Sequence, residues 1–127
     1  MRGVLVITCL VAAATLAACG QEGIDVPGAD EEVQEGALLF SQRCSGCHTM
    51  KAAGAQGTAN RSQRAQGPNL DQRTESYEDA IYAIRNGGFS GAIMPQNIVV
   101  GADADKVARF LEEYSGSDVE DLSGPGS

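Results

Sequence analysis

Cys44-Ser45-Gly46-Cys47-His48 is the stretch on which the reading of this chain turns. Its spacing fits a c-type haem attachment site. Two thiols three residues apart can each add to one vinyl group of a single haem. The next residue, His48, is then carried beneath the iron as its axial ligand. One turn of helix-like chain after Cys44 sets Cys47 and His48 on neighbouring directions. Three other readings fit less well. A zinc ribbon needs a second pair of ligands, but Cys9 lies in an apolar leader, Cys19 sits at its end, and His48 is the only histidine. A thioredoxin-like pair calls for a βαβ setting, which this sequence does not show. A Cys44–Cys47 disulfide is permitted outside the cell, yet it leaves a thin core and two long loops unexplained.

A second axial ligand follows by elimination among the three Met. Met1 belongs to the leader. Met50 lies two residues past His48 and cannot swing to the opposite haem face. Met94, in Ile93-Met94-Pro95-Gln96-Asn97, remains. An isolated Met is often a gap-filler in a core. Its place beside Pro95, off any helical stripe, argues for the iron instead. A thioether favours reduced iron, so a His/Met pair raises the potential. It also closes the sixth site, and a closed iron carries electrons rather than binding oxygen or peroxide.

Outward from the motif, three helices are predicted. The first begins near Asp30, with Glu31 and Glu32 at the positive end of the dipole and Val33, Ala37, Phe40 and Cys44 at helical spacing. The second begins near Ser76, carries Tyr77, Ala80, Ile81 and Ile84 as its stripe, and stops at Asn86-Gly87-Gly88. The third starts near Asp103, repeats Val107, Phe110, Leu111 and Tyr114, and ends at Gly116. No run alternates at period two; Ile98-Val99-Val100 is too short to found a sheet. Loops 49–73 and 87–102 are long for a compact domain unless something organises them, and a large cofactor does so.

The chain has 127 residues, 43% of them hydrophobic, with no Trp, three Phe, three Tyr and 16 Gly. That is one small domain with few large side chains to fill it. A net charge of -8 argues against nucleic-acid binding and against adhesion to anionic lipid by charge alone. Residues 1–18 read as an export signal: Arg2 precedes an apolar run shorter than the ~20 residues of a membrane helix. It ends in Leu16-Ala17-Ala18-Cys19-Gly20, which is similar to a bacterial lipoprotein cleavage site with Cys19 as the lipidated first residue; an uncleaved N-terminal anchor is the alternative. Residues 19–29 read as a lipidated, flexible tether, 30–115 as the folded domain and 116–127 as a disordered acidic tail.

With His48 and Met94 placed, residues 30–115 resemble the small class I cytochromes c, closest to the lipid-anchored ones of Gram-positive bacteria. The resemblance implies an all-α, single-domain fold, three main helices and long loops wrapped around one covalently bound haem c. It implies that the first and last helices cross at Gly36, with Phe40, Val107 and Phe110 locking the pair. Gly67-Pro68-Asn69-Leu70 matches the family segment whose Pro carbonyl accepts a hydrogen bond from the ligand His. Pro68 is thereby expected to orient His48. Asn97 resembles an Asn that donates to the Met sulfur in some members, and a turn-forming Asn fits equally well. Tyr77 and an Arg of the long loop are candidates for the haem propionates.

The resemblance further implies a one-electron carrier, not an enzyme, in a respiratory chain on the outer face of the cytoplasmic membrane. Its donor is then a quinol-oxidising complex and its acceptor a terminal oxidase, with the membrane held through lipid on Cys19 and the protein monomeric. Arg43, Lys51, Arg61, Arg64 and Arg73 against Asp71 alone give the segment around the motif a locally basic rim, which suits docking. The rival readings are the haem subunit of an extracytoplasmic dehydrogenase, and a haem peroxidase or ligand-binding protein. A peroxidase needs an open iron and a distal acid or base, and no second His exists to serve.

Overall fold

Three helices and a minimal hairpin make up the computed structural model, which describes residues 23–57, 67–88 and 94–119. The leader, Cys19, residues 58–66, Ile93 and the tail from 120 onward lie outside the described residues. Helix α1 spans Glu31–Arg43. Asp30 stays extended and its carboxylate accepts the Val33 N–H at 2.9 Å, satisfying one of the orphan donors of the first turn. Glu31 and Glu32 in the first turn and Arg43 in the last complement the dipole. Val33, Gly36, Ala37 and Phe40 form its buried face.

Helix α2, Tyr77–Asn86, opens on Ser76, whose hydroxyl accepts from the Asp79 N–H. It ends on Gly87 in the left-handed region. Helix α3, Ala102–Tyr114, starts one residue earlier than the Asp103 expected from sequence. Gly101, at φ 59, turns the chain into the helix with no side-chain cap, so Asp103 falls in the first turn, where the dipole favours it. Its buried face is Ala104, Val107, Ala108, Phe110 and Leu111.

Helix α3 packs against both α1 and α2. At the α1–α3 crossing the backbones nearly touch. A Cβ on Gly36 would lie 2.2 Å from the Lys106 carbonyl oxygen and 3.0 Å from Phe110 Cβ. Phe40 meets Phe110 edge-on at 5.7 Å, and Phe110 stacks on Tyr114 at 5.8 Å. These rings recover area that the small helix residues leave unfilled. Lys106 and Arg109 reach across the crossing to Glu35 and Glu32.

Three features depart from the sequence reading. First, residues 49–56 form a hairpin: β1 (Thr49–Met50) pairs antiparallel with β2 (Ala55–Gln56) around a 3-10 turn at Lys51–Ala53 and a left-handed Gly54. Two-residue strands carry no alternation that a sequence can reveal. Met50 is fully buried in this hairpin. Second, the described part of the segment read as a flexible tether is packed. Ile24, Val26 and Ala29 lie against the core, the Asp25 N–H donates to the Ala52 carbonyl at 2.9 Å, and the Tyr114 hydroxyl donates to the Pro27 carbonyl at 3.0 Å. Third, the chain past α3 is fastened before it leaves. Gly116 N–H donates to the Leu70 carbonyl and Asp118 N–H to the Asp71 carbonyl, both at 2.8 Å.

Asp71 is the post to which these loops are tied. It is 1% exposed, the only buried charged residue among those described. Its Oδ1 accepts from the Lys51 N–H at 2.9 Å and from the Ser117 hydroxyl at 3.2 Å, while its own N–H donates to Asn69 Oδ1.

Candidate functional site

The last turn of α1 runs directly into the attachment motif. Phe40 C=O accepts from Cys44 N–H at 2.8 Å and Ser45 N–H at 3.2 Å. Cys44 C=O in turn accepts from Cys47 N–H at 3.0 Å and His48 N–H at 2.9 Å. This extra turn is the local reason the motif residues share one place: the helix delivers Cys44, and the turn folds Cys47 and His48 back beside it. The two sulfurs are free thiols in different surroundings, Cys44 buried and Cys47 exposed. Burial, and then the neighbouring Cys47, push the Cys44 thiol up to about 12, so it is un-ionised near neutrality.

His48 is oriented from outside the motif. Its Nδ1 lies 3.1 Å from the Pro68 carbonyl. With the proton on Nδ1 that nitrogen donates to the carbonyl, and Nε2 is left with its lone pair free. Gly67 makes the approach possible, because a Cβ there would meet the His48 ring at 2.6 Å and the Cys47 carbonyl at 2.8 Å. Burial is the largest influence on the imidazole and lowers its pKa, against smaller raising effects from Pro68 and Glu75. The neutral imidazole, the form that binds metal, is therefore favoured.

These residues border a cleft of about 290 Å³. Cys44, Cys47, His48 and Pro68 lie on it together with Met94, from the loop after α2. Gly87 lets that loop come close, since a Cβ there would sit 2.6 Å from the Met94 carbonyl oxygen. Phe40, Leu70, Ile84, Ile98, Val107 and Leu111 supply apolar wall, and Arg43, Arg73 and Glu75 supply its charge. Five of the six site residues expected from sequence thus share one cavity. Asn97 is not among the lining residues. It is exposed, holds φ 54 and donates its N–H to the Ile84 carbonyl at 2.8 Å, which is the turn-forming role. Tyr77 is engaged elsewhere: its hydroxyl donates to Asp105 at 2.7 Å, beneath Arg109.

A large, flat, mostly apolar cofactor suits this donor set. Two free thiols, an imidazole whose neutral form is favoured and a thioether border one largely apolar cleft. Gly67, Arg73 and Asp71 stand in the sequence reading only as part of a matched segment or of the basic rim, and Glu75 not at all; their roles beside His48 and under the loops are found in the structure. For Gly67 the signal was its place before Pro68; for Asp71 there was none, because its partners come from residues 51 and 117.

The cytochrome c family profile matches residues 33–115, and the chain belongs to that family. No curated protein sequence matches it. Among solved structures it is similar to the c-type cytochrome SorU from Sinorhizobium meliloti, at 28% identity and a TM-score of 0.55 over 69% of this chain and 95% of that one. The fold is that of a class I cytochrome c. The protein is accordingly a monohaem one-electron carrier with haem c bound covalently.

Proposed function

We propose that Cys44 and Cys47 carry the haem thioethers and that His48 Nε2 and Met94 Sδ are the axial ligands. The hydrogen bond between His48 Nδ1 and the Pro68 carbonyl is the observation that supports this most. It commits one ring nitrogen to the protein, presents the other as a donor, and strengthens it by polarising the ring. Haem c supplies a one-electron iron couple when bound. The chain contributes orientation of the imidazole, an apolar wall that limits water, and a thioether that favours the reduced metal.

The physiological role we infer is electron transfer in a respiratory chain, from a quinol-oxidising complex to a terminal oxidase. It takes place on the outer face of the cytoplasmic membrane, with the protein held there as a monomer by lipid on Cys19. The export-type leader ending in Cys19 supports the location. Among the described residues no helix is long and apolar enough to cross a membrane. Visible and near-infrared spectra of protein matured with haem test the ligation. A weak near-infrared sulfur–iron band in the ferric state, and no carbon monoxide binding in the ferrous state, are expected. A five-coordinate resting iron would overturn it. Metabolic labelling with a radioactive fatty acid, compared between the native chain and Cys19→Ser, tests the anchor.

A further inference from the structure

One charged pair at the cleft supplies neither a thioether sulfur nor an axial ligand. Glu75 lines the cleft with its side chain only 9% exposed, and it is ion-paired with Arg73, whose side chain is 50% exposed. Glu75 cannot drift. Its N–H donates to Ser115 Oγ at 2.8 Å, at the end of α3, and the next residue, Ser76, caps α2. The backbone of Glu75 is thus held where two helix ends meet, and its carboxylate pairs with Arg73, the more exposed of the two side chains. A charge in water is screened and one inside a protein is not, so the two halves of this pair do not cancel within the cleft. Asp71, the one buried acid among the described residues, does not line the cleft and is spent on the Lys51 N–H and the Ser117 hydroxyl. Arg43 is the remaining charge at the wall, exposed at the end of α1.

We propose that Glu75, held in place by Arg73, sets the electron affinity of the iron by placing an uncancelled negative charge beside the cleft that stabilises the oxidised state. Glu75 is the residue that acts and Arg73 the one that positions and partly neutralises it. The inference rests on the ligation proposed above, since it needs the iron to sit next to His48.

The test is the midpoint potential of the haem-loaded protein in four variants, each checked for the near-infrared sulfur–iron band. Glu75→Gln is expected to raise the equilibrium constant for one-electron reduction about tenfold, or about 59 mV. Glu75→Asp keeps the charge and is expected to stay near the native value. Arg73→Gln exposes the full carboxylate and is expected to lower the constant several-fold. Arg73→Gln added to Glu75→Gln is expected to lower it much less, because the charge it unmasked is gone. A generic loosening of the cleft would admit water and lower the potential in both single variants, so the opposite signs are diagnostic. An unchanged or lowered potential in Glu75→Gln with the band intact overturns the proposal, as does an equal effect of Arg73→Gln in both backgrounds. If Glu75→Gln does not accumulate, the Arg73→Gln and Glu75→Asp results decide. Absence of the band from the native protein instead removes the ligation itself.

Discussion

Gly36 stands against the Lys106 carbonyl so closely that no side chain fits between them: a Cβ would sit 2.2 Å from that oxygen. The obstruction is backbone, which cannot swing aside. Gly36→Ala should therefore push α1 off α3 and loosen the Phe40–Phe110 contact. Overpacking of this kind costs about 1–3 kcal/mol, enough to outweigh the gain of about 1 kcal/mol from replacing a helix glycine. Denaturant unfolding of the haem-loaded protein measures it. A variant as stable as the native chain would show that the crossing is not tight.

Met94→Ala should open the sixth coordination position. The potential falls, the sulfur–iron band disappears and the ferrous protein binds carbon monoxide. Retention of the native potential and spectrum would mean that another residue ligates.

Gly67→Ala should disturb His48 without touching it chemically. The added methyl meets the ring at 2.6 Å, so the bond from Nδ1 to Pro68 must lengthen. Proton exchange at Nδ1, followed by NMR, should accelerate by an order of magnitude or more if the bond is lost, since exchange reports local opening. Unchanged protection counts against the geometry described.

Asp71 separates two kinds of substitution. Asp71→Ala leaves the Lys51 N–H and the Ser117 hydroxyl without their buried acceptor, at about 1.5–3 kcal/mol. Asp71→Asn keeps an acceptor at the Oδ1 position and puts an amide where Oδ2 has no hydrogen-bond partner among the described residues, so it should lose clearly less. Equal losses would mean that the carboxylate charge, not the hydrogen bonds, ties the loops together.

Tyr77 gives a pH-dependent test. Its hydrogen bond to the Asp105 carboxylate, first among the causes, raises its pKa above the usual value near 10. A group whose folded pKa is raised contributes stability below its unfolded pKa and loses it as pH climbs through the folded one. Tyr77→Phe should therefore be less stable than the native protein at neutral pH, and the difference should close in strongly alkaline solution. A gap constant with pH removes the hydrogen bond as its source.

The parts legible in sequence are those whose causes are local. Asp30 and Ser76 announce helix starts because a cap bonds only three residues ahead. The attachment motif declares itself within five residues, and the fold follows from it. The packing of Ile24–Ala29 was not legible, because its partners Ala52 and Tyr114 lie far along the chain and Gly23, Pro27 and Gly28 look like linker. The hairpin at 49–56 and the burial of Asp71 were hidden for the same reason. Asn97 shows the limit from the other side: one residue type served two roles equally well on paper, and its backbone conformation favours the turn.

If Cys19 carries a lipid, the docked N-terminal segment also limits how far the domain can wander. With the chain packed against the core from Ile24 onward, a lipid on Cys19, as proposed above, would be joined to the domain through residues 20–23 alone. Even pulled straight, the five residue steps from Cys19 to Ile24 span at most about 18 Å. A protein moored so tightly would pivot on the bilayer but could not patrol the space above it. On that reading its own reach would be confined to a thin layer next to the bilayer, and its travel to lateral diffusion in two dimensions.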